Sequence, residues 1–299
     1  MKLGIHNYSF YMHGLGGRWM GFKPPWPNPM DIFGLQEKAA QLDLDGVHLD
    51  MAAIGSTEPD HLDRVGKDAR DRGLFMEFNW GLPKPGADLR LQFDLASGID
   101  ICRQLGADIG KLSLNLTRPR PVMGSRHAPE IMDQLFSVKK QITGILPLLD
   151  QIGIRLALEN HTDAYASEVI WLIEAVDHPL VGACVDTVNP MMVGEDPMQA
   201  IEALTPYAFT NHFRDSVIDQ TRYGCRIAGC ALGDGDLDLK QAYDLLKNAP
   251  NLDRLNIEIA LDAPADRMQQ ALDMETRAIE KSIDFCRNQL GIPTHRENK

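Results

Sequence analysis

Short apolar runs, five to seven residues long, recur at intervals along the whole chain. Runs of this length, many rich in Val, Ile and Leu, are typical of strands that are buried on both faces of a parallel sheet. Eight strands are predicted: Leu3–Tyr8, Gly46–Met51, Leu74–Asn79, Ile109–Asn115, Arg155–Glu159, Gly182–Asp186, Ala208–Phe213 and Leu255–Ile259.

The segments between these strands have apolar positions spaced by three or four residues, which predicts amphipathic helices. From Ile131 to Leu149, for example, six apolar residues recur at this spacing and would form one face to bury. Gly73, Gly106 and Gly153 follow three of the helices, where a left-handed residue commonly ends a helix. The predicted helices cover residues 60–72, 89–105, 131–150, 167–176, 197–204, 239–246 and 266–289.

This strict alternation of strands and helices indicates right-handed crossovers into a parallel sheet. Eight such units favour closure into an α/β (β/α)8 barrel, and no Gly-x-Gly-x-x-Gly follows the first strand as a dinucleotide-binding fold would require. The loops at residues 13–29 and 214–236 are unusually long, and barrel enzymes place substrate contacts in such loops. No segment has the composition of a linker, so we expect residues 1–299 to form a single domain.

The composition and charge of the chain indicate which classes of partner it is suited to bind. The net charge is −12 and basic residues are scattered, which disfavours nucleic acid and an anionic membrane surface as partners. Five cysteines without a Cys-x-x-Cys pair predict reduced thiols. The chain shows no signal-peptide pattern, and no stretch approaches the ~18 apolar residues of a membrane span. These features predict a cytoplasmic protein.

Four consecutive predicted strands each deliver one side chain that could bind a metal: Glu159, Asp186, His212 and Glu258. The spacings of 27 and 26 residues between the first three each match one βα unit, and the 46 residues to the fourth match one unit plus the long loop. A lone glutamate or histidine at a strand end is usually solvated or paired. Four in register at the catalytic end of a barrel are instead expected to converge.

Convergence of three carboxylates would raise their pKa values through mutual repulsion, and a divalent cation removes that penalty. Three oxygen donors and one imidazole suit a hard or intermediate cation better than a thiolate-seeking one. We therefore predict a divalent metal cofactor, with Mn²⁺ first and Mg²⁺ or Co²⁺ as alternatives.

Four motifs extend this pattern: Leu-Glu159-Asn-His161-Thr-Asp163, Val-Asp186-Thr-Val-Asn189-Pro, His212-Phe-Arg-Asp215 and Leu232-Gly-Asp-Gly-Asp-Leu-Asp238. Together they resemble the sugar phosphate isomerase/epimerase family, whose members are xylose isomerase-like TIM barrels. That family includes ketose 3-epimerases, inosose dehydratases and hydroxypyruvate isomerases. The resemblance covers nearly the whole chain and implies the same four metal ligands.

The resemblance also implies that Glu159 and Glu258 are catalytic, as paired acid/base groups on opposite sides of the substrate carbon. A metal that polarises a carbonyl and its neighbouring hydroxyl lowers the cost of forming an enediolate. One carboxylate would remove the α-proton and another would return it. The first functional prediction is therefore a metal-dependent isomerase or epimerase of a sugar or ketose.

His161 supports an alternative, because Asn160-His161 directly after the glutamate departs from the epimerase pattern. Relatives with Glu-Asn-His at this place include proteins resembling the catalytic subunits of C-glycoside deglycosidases. A histidine proton shuttle beside the metal would suit a lyase, deglycosidase-like or inosose dehydratase-like, acting on a 3-oxo sugar or cyclitol. His161 could equally hold the next loop by a backbone hydrogen bond.

Two other classes fit less well. Related DNA-repair endonucleases share this barrel, but they would need a multi-zinc cluster with more histidines and a basic groove. A barrel that only binds a ligand would have no use for buried metal-site carboxylates.

Further polar residues are expected either to bind the hydroxyls of a carbohydrate substrate or to pair within the barrel. They are His6, His48, Glu77, Lys111, Asn189 and Arg214. Trp19, Trp26 and Trp80 could stack on a sugar face or cap the barrel. No basic phosphate site follows strands seven and eight, which slightly favours an unphosphorylated substrate. Assembly into a homo-oligomer, or with a small partner subunit, stays open.

Overall fold

The computed structural model describes residues 1–17, 30–262, 264 and 266–295, and eight parallel strands form its central barrel. They are Lys2–His6 (β1), Gly46–Asp50 (β2), Phe75–Gly81 (β3), Ile109–Ser113 (β4), Arg155–Glu159 (β5), Val181–Asp186 (β6), Ala208–His212 (β7) and Arg254–Ile257 (β10). In the sheet, β10 lies next to β1 and the other strands follow in chain order to β7. Phe213 N, directly after β7, donates to Asn256 O of β10 at 2.8 Å and so joins the first and last strands of the sheet. The predicted (β/α)8 barrel is confirmed.

Helices connect the strands and cover the outside of the barrel. They are Ile32–Gln41 (α1), Met51–Ile54 (α2), Pro59–Arg72 (α3), Leu95–Leu105 (α4), Pro129–Ile152 (α5), Ala166–Val176 (α6), Pro197–Leu204 (α7), Leu239–Leu246 (α8) and Met268–Asn288 (α9). Their apolar faces pack on the outward side chains of the strands in one continuous core. No helix among the described residues is both long and apolar enough to cross a membrane.

Several predicted boundaries differ from the structure, and side-chain caps explain two of them. The predicted helix at 89–105 is a 3-10 turn followed by α4, because the Asp94 side chain accepts from Ser97 N at 2.9 Å and starts the helix there. The first strand ends at His6 instead of Tyr8, because His6 Nδ1 accepts from Tyr8 N and begins a 3-10 turn. Helix α1, capped by Asp31, was not predicted.

The long loop after β7 contains an antiparallel hairpin that the apolar pattern did not predict. Its strands are Asp215–Thr221 (β8) and Gly224–Cys230 (β9), and most of their residues are exposed or half-buried. The following Gly233-Asp-Gly235 turn wraps around the Asp215 carboxylate, which accepts from Gly233 N at 2.9 Å and Gly235 N at 3.0 Å. This turn leads into α8, as expected for a helix entry and not for a phosphate loop.

On the side of the barrel formed by β4 to β7, the interior is apolar in one layer and polar in the next. Ile109, Ala157, Cys184 and Phe209 form a small buried apolar cluster of their own. Because alternate residues of a strand point to the same face, Lys111 and Ser113 follow Ile109 on the inner face of β4. The polar layer therefore lies toward the carboxyl ends of the strands, where barrel enzymes carry their active sites.

Candidate active site

The structure brings the four predicted metal ligands together around one atom, His212 Nδ1. This nitrogen lies 3.0 Å from Glu159 Oε1, 2.9 Å from Glu258 Oε2 and 3.7 Å from Asp186 Oδ2. Ligand atoms of Glu159, Asp186 and His212 all lie within 4.8 Å of one another, and all three residues are buried. The strand ends thus converge as their spacing predicted.

Asp186 is held by the turn that follows β6. Its Oδ1 accepts from the backbone N–H groups of Val188 and Asn189, both at 2.8 Å, which turns Oδ2 toward His212. The amide of Asn160 pairs with the Asp186 backbone in both directions, at 2.7 Å and 3.0 Å. Asn160 therefore fixes the distance between the ends of β5 and β6.

Both oxygens of Glu159 have close partners. Oε2 accepts from Lys111 Nζ at 2.6 Å and from Ser113 Oγ at 2.9 Å, while Oε1 faces His212 and accepts from Asn189 Nδ2 at 3.3 Å. Burial by itself would raise the pKa of Glu159, but the charges of Lys111, His161 and His212 hold it well below its usual range.

Glu258 differs from Glu159 in having one close polar neighbour in the described part of the chain, His212 Nδ1. Its Oε2 is buried without a geometrically satisfactory hydrogen bond. Burial again raises the pKa, and the opposing charges of His212, Arg214 and His6 lower it well below the usual value. A buried carboxylate oxygen without a hydrogen-bond partner is suited to be a ligand of a cation.

A cavity of about 240 Å³ opens above these residues. Four of the six predicted substrate-binding residues line it: His6, Lys111, Asn189 and Arg214. Arg214 Nη1 donates to Asp186 Oδ2 and to Asn189 Oδ1, each at 3.2 Å. Arg214 and Lys111 bring positive charge to a wall that also carries Glu159 and Glu258.

His48 and Glu77 do not line the cavity. Both side chains are fully buried, and the strand register places Glu77 opposite His48 and Ile109, in the layer beneath Lys111. Both residues lie one layer below the cavity because of the register of β3 against β2 and β4, which the apolar pattern does not reveal. A direct contact with substrate is therefore not expected for either residue.

Comparison with known proteins places this site in a family context. Residues 36–289 match the model of the xylose isomerase-like TIM barrel family. The chain belongs to this family. The resemblance predicted from the four motifs is thus confirmed.

Relatives of this xylose isomerase-like barrel include enzymes with different reactions. A 3-oxo-isoapionate decarboxylase from Pectobacterium atrosepticum is 23% identical over 259 residues, which cover 86% of this chain and 84% of the relative. A solved D-psicose 3-epimerase has a TM-score of 0.68 at 16% identity and covers 98% of this chain and 100% of its own. A barrel from Mycobacterium smegmatis in complex with magnesium has a TM-score of 0.60 at 16% identity, with 93% and 97% covered.

A divalent metal fits the donor set of the xylose isomerase-like barrel described here. Three carboxylates and one imidazole nitrogen meet at a buried point, and their charges are partly balanced by Lys111 and Arg214 instead of by solvent. Oxygen-rich sets with one histidine suit Mn²⁺, Mg²⁺ and similar ions. The candidate ligands are Glu159, Asp186, His212 and Glu258.

His161 lines the cavity, and its Nδ1 lies 3.1 Å from Asp163 Oδ1. The Asp163 side-chain carboxylate therefore helps to orient the ring. Burial lowers the pKa of His161, but Glu159 and Asp163 outweigh burial and raise it above the usual value. The catalytic role of His161 stays a prediction.

Several cavity residues received little or no weight from the sequence, among them Tyr8, Asp50 and Ser113. Ser113 was overlooked although it stands two residues after Lys111, so the alternation of β4 could have placed it on the inner face. Trp80 lines the cavity but is buried and stacked on Phe78, with ring centroids 5.6 Å apart, so it mainly packs. Trp19 and Trp26 lie outside the described residues.

Asp50 provides a test of the electrostatics at the cavity wall. Burial raises its pKa to about 6, although its Oδ1 accepts from Ala53 N at 3.1 Å and caps α2. Above that pH the folded state holds a carboxylate that would be better solvated in the unfolded chain. We expect Asp50→Asn, which keeps the cap, to raise the free energy of unfolding at pH 7 by up to about 3 kcal/mol.

The size of this effect depends on pH. The gain should shrink as the pH falls through 6 and vanish only below the ordinary aspartate pKa of 3.8, where Asp50 is protonated in both states. Urea unfolding of both proteins at pH 7 and pH 4.5 measures it. An equal difference at the two pH values would contradict the raised pKa.

Proposed function

We propose that this protein is a divalent-metal-dependent lyase that acts on a 3-oxo sugar acid or a closely related oxidised carbohydrate. Decarboxylation is the leading reaction, because the curated relative of this name aligns with most of the chain. Mn²⁺ is the proposed metal, and a small-molecule carbohydrate is the proposed partner.

The observation that carries this proposal is the unequal state of the two glutamates. Epimerisation by two bases requires a free carboxylate on each side of the substrate carbon. Glu159 is engaged at Oε2 by Lys111 and Ser113 and turns Oε1 to the metal ligands, whereas Glu258 has little support. With Glu159 engaged in this way, the site does not present two free bases to the substrate, which favours a reaction with a single proton transfer over two-base epimerisation.

Decarboxylation of a 3-oxo acid needs that single transfer. A divalent cation at the four ligands would polarise the oxo group and stabilise negative charge on its oxygen. Lys111 and Arg214 line the cavity and would hold the substrate carboxylate by charge-assisted hydrogen bonds. As the carbon–carbon bond breaks, its electron pair moves toward the oxo group, CO₂ leaves, and the carbon gains a proton. His161, at the same wall, is our candidate for the proton donor.

A metal-dependent isomerase or epimerase of a ketose is the second candidate. It is supported by the close approach of Glu159 and Glu258 to the same histidine nitrogen, and by the similarity of the fold to D-psicose 3-epimerase. Under this alternative, Lys111 would have to release Glu159 during the reaction.

The experiment is NMR of the Mn²⁺-reconstituted protein in D₂O with a panel of 3-oxo sugar acids, free ketoses, 3-oxo glycosides and inososes. Metal-dependent CO₂ release, with one deuteron on the carbon that carried the carboxylate, is the expected result. A rearranged ketose with deuterium next to its carbonyl would establish the second candidate instead. Loss of water or an aglycone would indicate a lyase of the elimination type. No turnover of any class, with EDTA-treated protein as the control, would refute both candidates.

A further inference from the structure

Beneath the cavity, three histidine rings pack against one another. The ring centroids of His6, His48 and His212 lie 4.7 to 4.9 Å apart in each pairing. His6 lines the cavity and His212 faces the carboxylates, but His48 does neither. Behind His48 stands a fully buried acid, Glu77. Burying a carboxylate in a barrel core is costly, so this pair requires an explanation.

Glu77 is surrounded by hydrogen-bond donors. Its Oε2 accepts from Thr210 Oγ1 at 2.7 Å and from Asn256 Nδ2 at 3.2 Å, and its Oε1 lies 3.5 Å from the Arg254 guanidinium. Donors on one oxygen and a cation beside the other stabilise the ionised form. Glu77 is therefore a carboxylate, which can only accept hydrogen bonds.

This carboxylate selects the tautomer of His48. Glu77 Oε2 lies 2.8 Å from His48 Nδ1, and because a carboxylate can only accept, this short contact favours a proton on that imidazole nitrogen. A neutral imidazole carries one proton, and its other nitrogen is then a bare acceptor. That acceptor, His48 Nε2, lies 3.5 Å from His212 Nε2.

The tautomer of His48 in turn favours one tautomer of His212. A bare acceptor at His48 Nε2 favours a proton on His212 Nε2, which leaves the lone pair of a neutral His212 on Nδ1. His212 Nδ1 is the atom that faces Glu159, Asp186 and Glu258. We propose that Glu77 and His48 are positioning residues that form a buried relay and present His212 Nδ1 to the metal. This inference rests on the metal site of the proposed function, but not on which reaction it catalyses.

His6 offers a matched control within the same cluster. Its Nδ1 accepts from Tyr8 N at 2.9 Å, so its ring is oriented by the backbone and takes no part in the relay. Substitution of His6 should leave the His212 tautomer unchanged. If the three histidines formed a metal site of their own, His6 would matter as much as His48.

Isothermal titration of Mn²⁺ into the metal-free chain tests the relay, with the visible spectrum of the Co²⁺ form as a second readout. We expect His48→Leu to weaken Mn²⁺ binding by about 10- to 100-fold, the range for groups that orient a metal ligand. His48→Gln should stay close to wild type, because its amide oxygen can reach the place of Nε2 and accept from His212. His6→Gln should lose clearly less Mn²⁺ affinity than His48→Leu, because its ring lies outside the relay and acts on the ligands through its charge near Glu258. Thermal unfolding in EDTA reports any loss of packing separately.

Three results would overturn the relay: equal Mn²⁺ affinity for His48→Leu and wild type, a loss in His48→Gln as large as in His48→Leu, or an equal loss in His6→Gln. Each of these leaves Mn²⁺ bound to the wild-type chain and the proposed function intact. If the wild-type chain binds no Mn²⁺, the metal site fails and the relay fails with it.

Discussion

Glu258→Gln is expected to lower kcat by about 10³-fold at saturating Mn²⁺, the loss that follows when the group stabilising developing negative charge is displaced. The substitution keeps the shape of the side chain and removes its charge. Glu258 lies 2.9 Å from His212 Nδ1, and it is the less supported of the two glutamates. The amide cannot neutralise the metal charge as the carboxylate would, so both Mn²⁺ binding and turnover should suffer.

Mn²⁺ affinity and kcat are measured separately, with the substrate that the NMR panel identifies, so that weaker binding does not mask the effect on turnover. Glu275→Gln is the matched control, because Glu275 is also buried but pairs with His13 Nδ1 at 2.6 Å, outside the cavity. We expect the control to keep nearly all of its kcat. A kcat for Glu258→Gln within about tenfold of wild type would argue against a direct catalytic role.

Lys111→Met is expected to lower the free energy of unfolding of the metal-free protein by about 3 to 5 kcal/mol, the usual effect of breaking a buried ion pair. Lys111 Nζ lies 2.6 Å from Glu159 Oε2, and both side chains are almost fully buried. Methionine fills a similar volume but leaves the Glu159 carboxylate without its main cation. Saturating Mn²⁺ should restore part of the loss, because the metal supplies positive charge to the same carboxylate.

Urea unfolding in EDTA and in Mn²⁺ measures both effects. Lys67→Met is the matched control, since Lys67 pairs with Asp71 on the exposed face of α3. Exposed pairs contribute little to stability, so this variant should unfold like wild type in both conditions. If the two variants behave alike, Lys111 does not provide the charge balance that the structure indicates.

The barrel was predictable because it depends on local order along the chain, and the family was predictable because four motifs resemble it. Apolar strands alternate with amphipathic helices, and this alternation alone restricts the fold to a few arrangements. Metal-ligand candidates were also accessible, since one βα unit separates successive strand ends. The sequence alone therefore places Glu159, Asp186 and His212 at the same end of the barrel.

Features that depend on contacts between distant strands could not be predicted in the same way. Lys111 precedes Glu159 by 48 residues, and the sequence around neither residue shows that Lys111 donates a hydrogen bond to Glu159. Glu77 and His48 looked like cavity residues because they are polar residues on apolar strands. The register of β3 against β2 and β4 puts them one layer deeper instead.

The sequence by itself determined the class of fold, because periodicity is a property of the chain, and its motifs resembled the family and suggested which strand ends carry candidate metal ligands. Only the tertiary structure decided which partner each of the buried acidic side chains has. It showed that Glu159 is tied to Lys111 while Glu258 is not, and that Glu77 lies behind His48. The physical reason is that hydrogen bonds and ion pairs form between atoms a few ångströms apart, and closure of the barrel sets those distances.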